Sequence, residues 1–437
     1  MTSEAFDYYI PVRKSEIVSA ILQHPALTPQ DHPKMASLVR WLALLFHMEF
    51  FTTSELIKEL YVGLNPDKKG NHPLKTSPRQ RQVFLDELDR VLIAANFRPL
   101  SNEEVEEANS KEGRLGAEIK VKTGVFSSVR FYARGLHEHE SKVDKWFGLR
   151  SKTVMIPTYD HVVFAMIPGL DASKKDIKRA GLRQGAAYLQ LYRDIPLADL
   201  KSLYPNARAS VSLLRKVLIG ASTIIAGVPL LMKIIPALTV LLLAVAAYLG
   251  IAGQVEDDTF KKSIAAGTVL AAFIGLGLRQ WVSYDRHALR HQKKLSDQAH
   301  SNKLNKNAGC FDYLIAASED AEVKEAFMAY ALLYLANEPL TMEALDQRVE
   351  HWFAAHFEVE IDFEIDDAIA KLERLSLVVR EDGRFRAMPL DKAVRNCTDN
   401  WKLLSNNIAK TGLEEHRLEM HGRSQAPRGR SHWTKAR

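Results

Sequence analysis

A chain of 437 residues has room for two or three domains. With 26% charged residues, a formal net charge of +6 and a mean hydropathy of -0.17, it is mostly soluble in character, which excludes a chain buried throughout in a bilayer. Its two cysteines, Cys310 and Cys397, exclude a disulfide framework and suit a reducing compartment.

The N-terminus reads MTSEAFDYYIPVRKSE and has no apolar core of the kind a cleaved signal peptide needs. From about residue 32 to 62 the pattern is helical. Met35, Leu38, Val39, Leu42, Leu45 and Phe46 fall on one stripe, and Thr53 is placed to cap a second helix over SELIKELY. A further helix is predicted from about Pro78 to Asn96, with Phe84, Leu88, Val91 and Ala95 on one face. The period then shortens to two. EIKVKT, VRFYARG, TVMIPTYDHVVFAMIP (with a turn at about Thr158 to Asp160) and AAYLQLYRDIP read as strands. Together they predict an antiparallel sheet of roughly four strands, covered by the N-terminal helices. This α+β domain is expected to span residues 1–205.

The stretch from Val217 to Val282 is the most hydrophobic part of the chain. A helix needs about 20 apolar residues to cross a bilayer. Residues 230–253 and 260–282 each reach that length, and QVEDDTFKK separates them. Lys201, Arg208, Arg215 and Lys216 precede the stretch, and Arg279, Arg286, Arg290, Lys293 and Lys294 close it. Basic flanks collect on the cytoplasmic side, so both flanks are predicted inside, with the acidic loop outside. Residues 206–300 are therefore expected to form a two-span transmembrane hairpin and a basic stalk. Lys233, between Pro229 and Pro236, is expected to snorkel to the headgroups; a place at the bilayer centre would instead mark a functional charge. Whether residues 217–232 cross, re-enter or lie on the membrane stays open.

Residues 301–415 are expected to form a third unit. One helix is predicted from about Ala321 to Asn337, a second begins after the capping Thr341, and a third carries Ile365, Ala368, Ile369, Leu372 and Leu375 on one face. The hairpin LVVREDGRFRAMPL follows, turning at Asp382-Gly383. Three helices and a hairpin make a winged-helix-like layout. Its third helix opens with Glu364, Asp366 and Asp367, which repel phosphate, so no specific nucleic acid is expected as a partner. The tail, residues 416–437, is basic and expected to be disordered.

Three stretches together carry a family likeness: LQLYRDIPLADLKSLYP, NKLNKNAGCFDYLIAASEDAEVKEAFMAYALL and DFEIDDAIAKLERLSLV. Over roughly Phe84 to Trp401 the chain resembles domain-of-unknown-function family 3754, which includes the mitochondrial transmembrane protein 143. The resemblance implies two spans with soluble flanks. It implies no activity, substrate or catalytic residue.

No P-loop, GxGxxG, CxxC, GxSxG or His-Glu-x-x-His is present, so no catalytic residue, cofactor or metal site is assigned. The pairs His137/His139 and His287/His291 lack a further ligand at metal spacing and read as solvated faces. The interaction candidates are Arg193, Asp194 and Asp199 beside the first flank, Lys233 within the apolar stretch, and Asn305, Asn307 and Gly309 after it. Their bland alternatives are a helix start, with Asp194 near the N-cap and Pro196 in the first turn, and a polar turn at 305–309. The expected function is that of a multi-pass, membrane-anchored cytoplasmic interaction or scaffold protein. The alternative is a subunit of an oligomeric small-solute transporter or channel. Expected partners are the bilayer, anionic lipids at the basic flanks, an unidentified protein, and further copies of the chain. The expected site is a bacterial inner membrane or a mitochondrial membrane, with both termini on the cytoplasmic or matrix side.

Overall fold

A computed structural model describes residues 8–68, 77–110, 118–145, 150–210 and 301–420, with isolated positions at 242, 245–246, 249–250, 268 and 275. The two expected spans, apart from those isolated positions, lie outside the described residues. So do Lys233, the stalk with His287 and His291, and the tail from residue 421. The chain divides into two units. One takes Met1–Leu64, Lys75–Arg98 and Ala308–Arg437; the other takes Asn65–Leu74 and Pro99–Asn307.

The first unit is helical. It holds α1 (Lys14–Leu22), α2 (His32–Val62), α3 (Pro78–Ala94), α6 (Gly309–Ala336), α7 (Met342–Phe357), α8 (Ile365–Arg374) and α9 (Leu390–Met420), with the hairpin β8 (Val378–Glu381) and β9 (Arg384–Ala387). Every residue of α6 from Val323 to Leu333 is buried. A helix buried all round must be wrapped by others, and α2, α3, α7, α8 and β9 all pack on it. The stripe of α2 from Met35 to Phe46 enters this core as its periodicity predicts.

Three expectations change here. The N-terminal helices α1–α3 pack with α6, not over the sheet: the stripes of α1 and α2 join its core, and Phe84 of α3 packs on Phe311 of α6 and Tyr61 of α2. The helix expected from Ala321 begins at Gly309. The expected second cap at Thr53 is absent, and α2 runs through it. The Thr52 hydroxyl bonds back to the Glu49 carbonyl, so a threonine pair without Gly or Pro does not end the helix.

Among the described residues α2 is the one helix long and apolar enough to cross a membrane. Its polar side argues for a core helix. Lys34 pairs with Asp391, His47 with Glu319, Glu49 with Arg374 and Lys58 with Asp312.

The C-terminal elements follow the predicted order. Thr341 Oγ1 accepts from the Ala344 amide at 3.2 Å and caps α7. Asn337 ends α6 with φ 54°, a left-handed cap that asparagine tolerates. Asp382 and Gly383, at φ 49° and 76°, make the tight turn between β8 and β9. Leu340, between α6 and α7, pairs antiparallel with Phe385 of β9. That bridge ties the hairpin to the helices.

The second unit is built on an antiparallel sheet in the order β1-β3-β4-β5-β7. Its strands are β1 (Arg98–Leu100), β3 (Phe126–Lys145), β4 (Arg150–Pro168), β5 (Tyr188–Pro196) and β7 (Lys303–Lys306). The short strands β2 (Glu118–Lys120) and β6 (Arg208–Ser210) pair apart from it, and α4 (Asn102–Ser110) and α5 (Lys174–Arg179) lie between strands. EIKVKT therefore contributes to the small pair, not to the main sheet. The predicted turn at Thr158 to Asp160 is also overturned, because β4 runs straight through it. Gly135, with φ 71°, lies across from it. A Cβ there would stand 2.5 Å from Asp160 Oδ2, so the glycine makes the room that Asp160 needs inside a strand.

Candidate functional site

Six of the seven interaction candidates lie among the described residues; Arg193 and Asp194 are on β5, Asn305 is on β7 and Asn307 directly follows it. After Ile195, β5 turns into a 3-10 segment, Leu197–Leu203, and then β6. The expected α-helix start at Asp194 is not there. Asp194 sits inside β5 with φ 51°, a conformation that Asp and Asn reach more easily than other side chains. The Arg193 amide donates to the Asn302 carbonyl at 2.9 Å, and Asn302 Nδ2 donates to the Asp194 carbonyl at 3.2 Å. Arg193 and Asp194 side chains are exposed. Asp199 is buried in the 3-10 segment, and its carbonyl accepts from the Ser202 hydroxyl.

The expected polar turn at 305–309 is in its first part a strand. Asn305 pairs with Leu191 and Lys306 with Gln190. Asn307 then turns left-handed at φ 51° and is buried. Its amide donates to the Leu189 carbonyl at 2.7 Å, its Oδ1 accepts from the Leu189 amide at 3.4 Å, and its Nδ2 donates to Asp67 Oδ2 at 2.8 Å. The side chain thus extends the β5–β7 ladder by one rung. Gly309 opens α6 and belongs to the helical unit.

Beside this corner, Arg134, His161 and Arg193 stand opposite one another on β3, β4 and β5. Burial first, then the Arg134 and Arg193 charges, push the His161 imidazole down to about 4, so it is neutral at ordinary pH. His137 Nδ1 lies 3.2 Å from Asp160 Oδ1.

Residues 152–309 match the family model described as Protein of unknown function (DUF3754). The DUF3754 match starts in β4 and ends at Gly309, so it takes in β5, β7 and all seven candidates. It is narrower than the likeness from Phe84 to Trp401. No solved structure matches the chain.

The helical unit holds a charged cluster that the candidates do not include. Lys371 on α8 is buried, and its Nζ pairs with Glu322, with Glu325 at 2.8 Å and with Asp367. Burial lowers the ammonium's pKa, but Glu325, Glu322 and Asp367 outweigh it and hold the group above its ordinary range. The three carboxylates lie within 4.8 Å of one another, as a metal's ligands would. The lysine already supplies the positive charge at their centre. Arg374, one turn on, reaches Glu49 on α2 through Nη1 and Nη2. The signal for the cluster was the i, i+3 and i, i+4 spacing of Glu322/Glu325 and Asp367/Lys371. That spacing is common on solvated helices, so the burial that gives it meaning is invisible in sequence.

Proposed function

We propose that the chain is a membrane-anchored interaction module, an α+β protein whose residues 206–300 form a two-span hairpin like that of transmembrane protein 143. One observation carries the reading. β6, the last strand before the apolar stretch, and β7, the first after it, both belong to the second unit, and β7 pairs with β5. Two chain ends held by one folded unit share one side of a membrane, so the number of crossings is even. The basic flanks argue the same way by an independent route, and anionic headgroups are the partners they suit.

A protein partner for the helical unit is favoured over nucleic acid. Helix, bridge strand, helix, helix and hairpin is a winged-helix-like order, and such folds read DNA through the third helix. Here both basic residues of that helix are spent within the unit, Lys371 on three carboxylates and Arg374 on Glu49. Its N-terminal turn keeps Asp366 and Asp367, the wrong sign for phosphate.

Topology reporters test the anchor. Fusions after Lys201 and after Leu304 are expected to report the same side, and one near Asp257 the opposite side. Opposite reports from the two flanks would overturn the reading. Purification in mild detergent, with mass spectrometry of what accompanies the chain, tests the partner. Stoichiometric co-purification of further copies alone would point to the oligomeric transporter or channel.

A further inference from the structure

The Lys371 cluster carries more negative charge than its ammonium balances. Glu322 and Glu325 come from α6, and Asp367 from the first turn of α8. Glu364, the residue before α8, adds a fourth carboxylate that feels Glu325, Asp367 and Lys371. With all four ionised the sum is +1 − 4 = −3. Glu325 and Lys371 are buried and Glu322 nearly so, where net charge is costly and a bound proton is the cheapest relief.

The same cluster holds the N-terminal segment. Asn96 Nδ2 donates to Glu325 Oε1 at 2.8 Å and to the Tyr8 carbonyl at 3.0 Å. Lys324, next to Glu325, donates to the Ile10 carbonyl at 3.3 Å and pairs with Asp320, which Lys14 of α1 also reaches. Ile10 and Val12 are buried in the core. Burial first, then the charges of Asp362, Glu364, Asp366 and Asp346, hold the Tyr8 phenol above its ordinary range.

We propose that the cluster is a proton-operated latch: with a proton shared among its carboxylates it holds α8 and the segment Tyr8–Val12 against α6, and loss of that proton loosens both. The change falls in the neutral range. Burial first, then Glu325 and Asp367, push Glu322 up to about 7 against the pull of Lys371. Burial first, then Glu325, Asp367 and Asp362, push Glu364 to about 7 as well. Both folded values lie above the ordinary 4.5, so the closed state is favoured as pH falls below about 7 and weakened as pH rises through it. Lys371 stays charged throughout and is not the switch.

Hydrogen exchange on the full chain in detergent, read by mass spectrometry and corrected for intrinsic rates, tests this. Between about pH 6 and about pH 8.5, peptides from α8 and from Tyr8–Val12 are expected to lose protection roughly tenfold or more, and β4 peptides are not. Glu322→Gln, which keeps a neutral hydrogen-bonding group, is expected to flatten the response. Equal protection of α8 at both pH values, or an unchanged pH response in Glu322→Gln, overturns the latch. Infrared titration of the wild-type chain keeps the test open if the variant misfolds. It should show a protonated carboxyl band persisting to about pH 7; no such band above pH 6 overturns the proposal too.

Discussion

Asn307 reaches back to Asp67, its Nδ2 2.8 Å from Asp67 Oδ2, while its backbone and Oδ1 close the last rung on Leu189. One buried residue thereby joins three segments of the second unit, two of them separated by the whole apolar stretch. Asn307→Ala removes both side-chain bonds and keeps a left-handed backbone that alanine resists. The expected cost is about 2–4 kcal/mol, from an orphaned buried amide and roughly 1 kcal/mol of strain. Asn307→Gly relieves the strain only and should fall below that. Thermal unfolding of the two variants in detergent checks the order.

Gly135 and Asp160 form a second dependent pair. Gly135→Ala puts a Cβ 2.7 Å from Asp160 Cβ at φ 71°. The expected loss is about 2–4 kcal/mol, the sum of overpacking and left-handed strain. Gly135→Ala with Asp160→Gly should recover the overpacking part and leave the strain. A double-mutant cycle on unfolding midpoints measures the coupling, and strict additivity would show that the contact does not matter.

His161 predicts a pH effect opposite in sign to that of the latch. Its folded value of about 4 lies below the ordinary 6.5, so the folded state takes up the proton less readily than the unfolded chain. The second unit should be fully stable above about pH 6.5 and lose up to roughly 1.4 kcal/mol per pH unit from there down to about pH 4. Hydrogen exchange in β4 reads this directly. His161→Gln should remove the slope.

The last prediction concerns where the chain can be cut. Because α2 and α3 cover α6, a fragment beginning near residue 301 should not fold alone. It would expose the face of α6 that α2 buries, far more apolar surface than a soluble monomer leaves open. Size-exclusion chromatography should show aggregates. Co-expression of residues 1–98 should rescue a soluble complex, and a monomeric folded 301–437 fragment would refute the packing.

Periodicity alone was enough for most elements. The stripe of α2, the start of α3 at about Pro78, the Thr341 cap, the face of α8 and the Asp382-Gly383 turn are local signals, complete within a few residues, and they appear in the structure where the sequence places them. The local structure around the candidate residues was not legible: Asp194 lies inside β5 where a helix start was expected, and Asn305 pairs in β7 where a turn was expected.

What the sequence by itself determined about this protein is therefore the larger inventory: the long helices, the main strands, the β8–β9 turn, and where an apolar stretch interrupts them. Only the tertiary structure decided the partnerships. It set α1–α3 against α6 instead of the sheet, made Lys303–Lys306 a fifth strand on β5, and turned the helical spacing of Glu322, Glu325, Asp367 and Lys371 into a buried charge cluster. The physical reason is one of range. A hydrogen-bonded turn or a helical stripe is set by neighbours a few residues apart, whereas burial and strand pairing depend on residues brought together across the chain. For a short polar strand such as KLNK, nothing in its own residues says which edge it will complete.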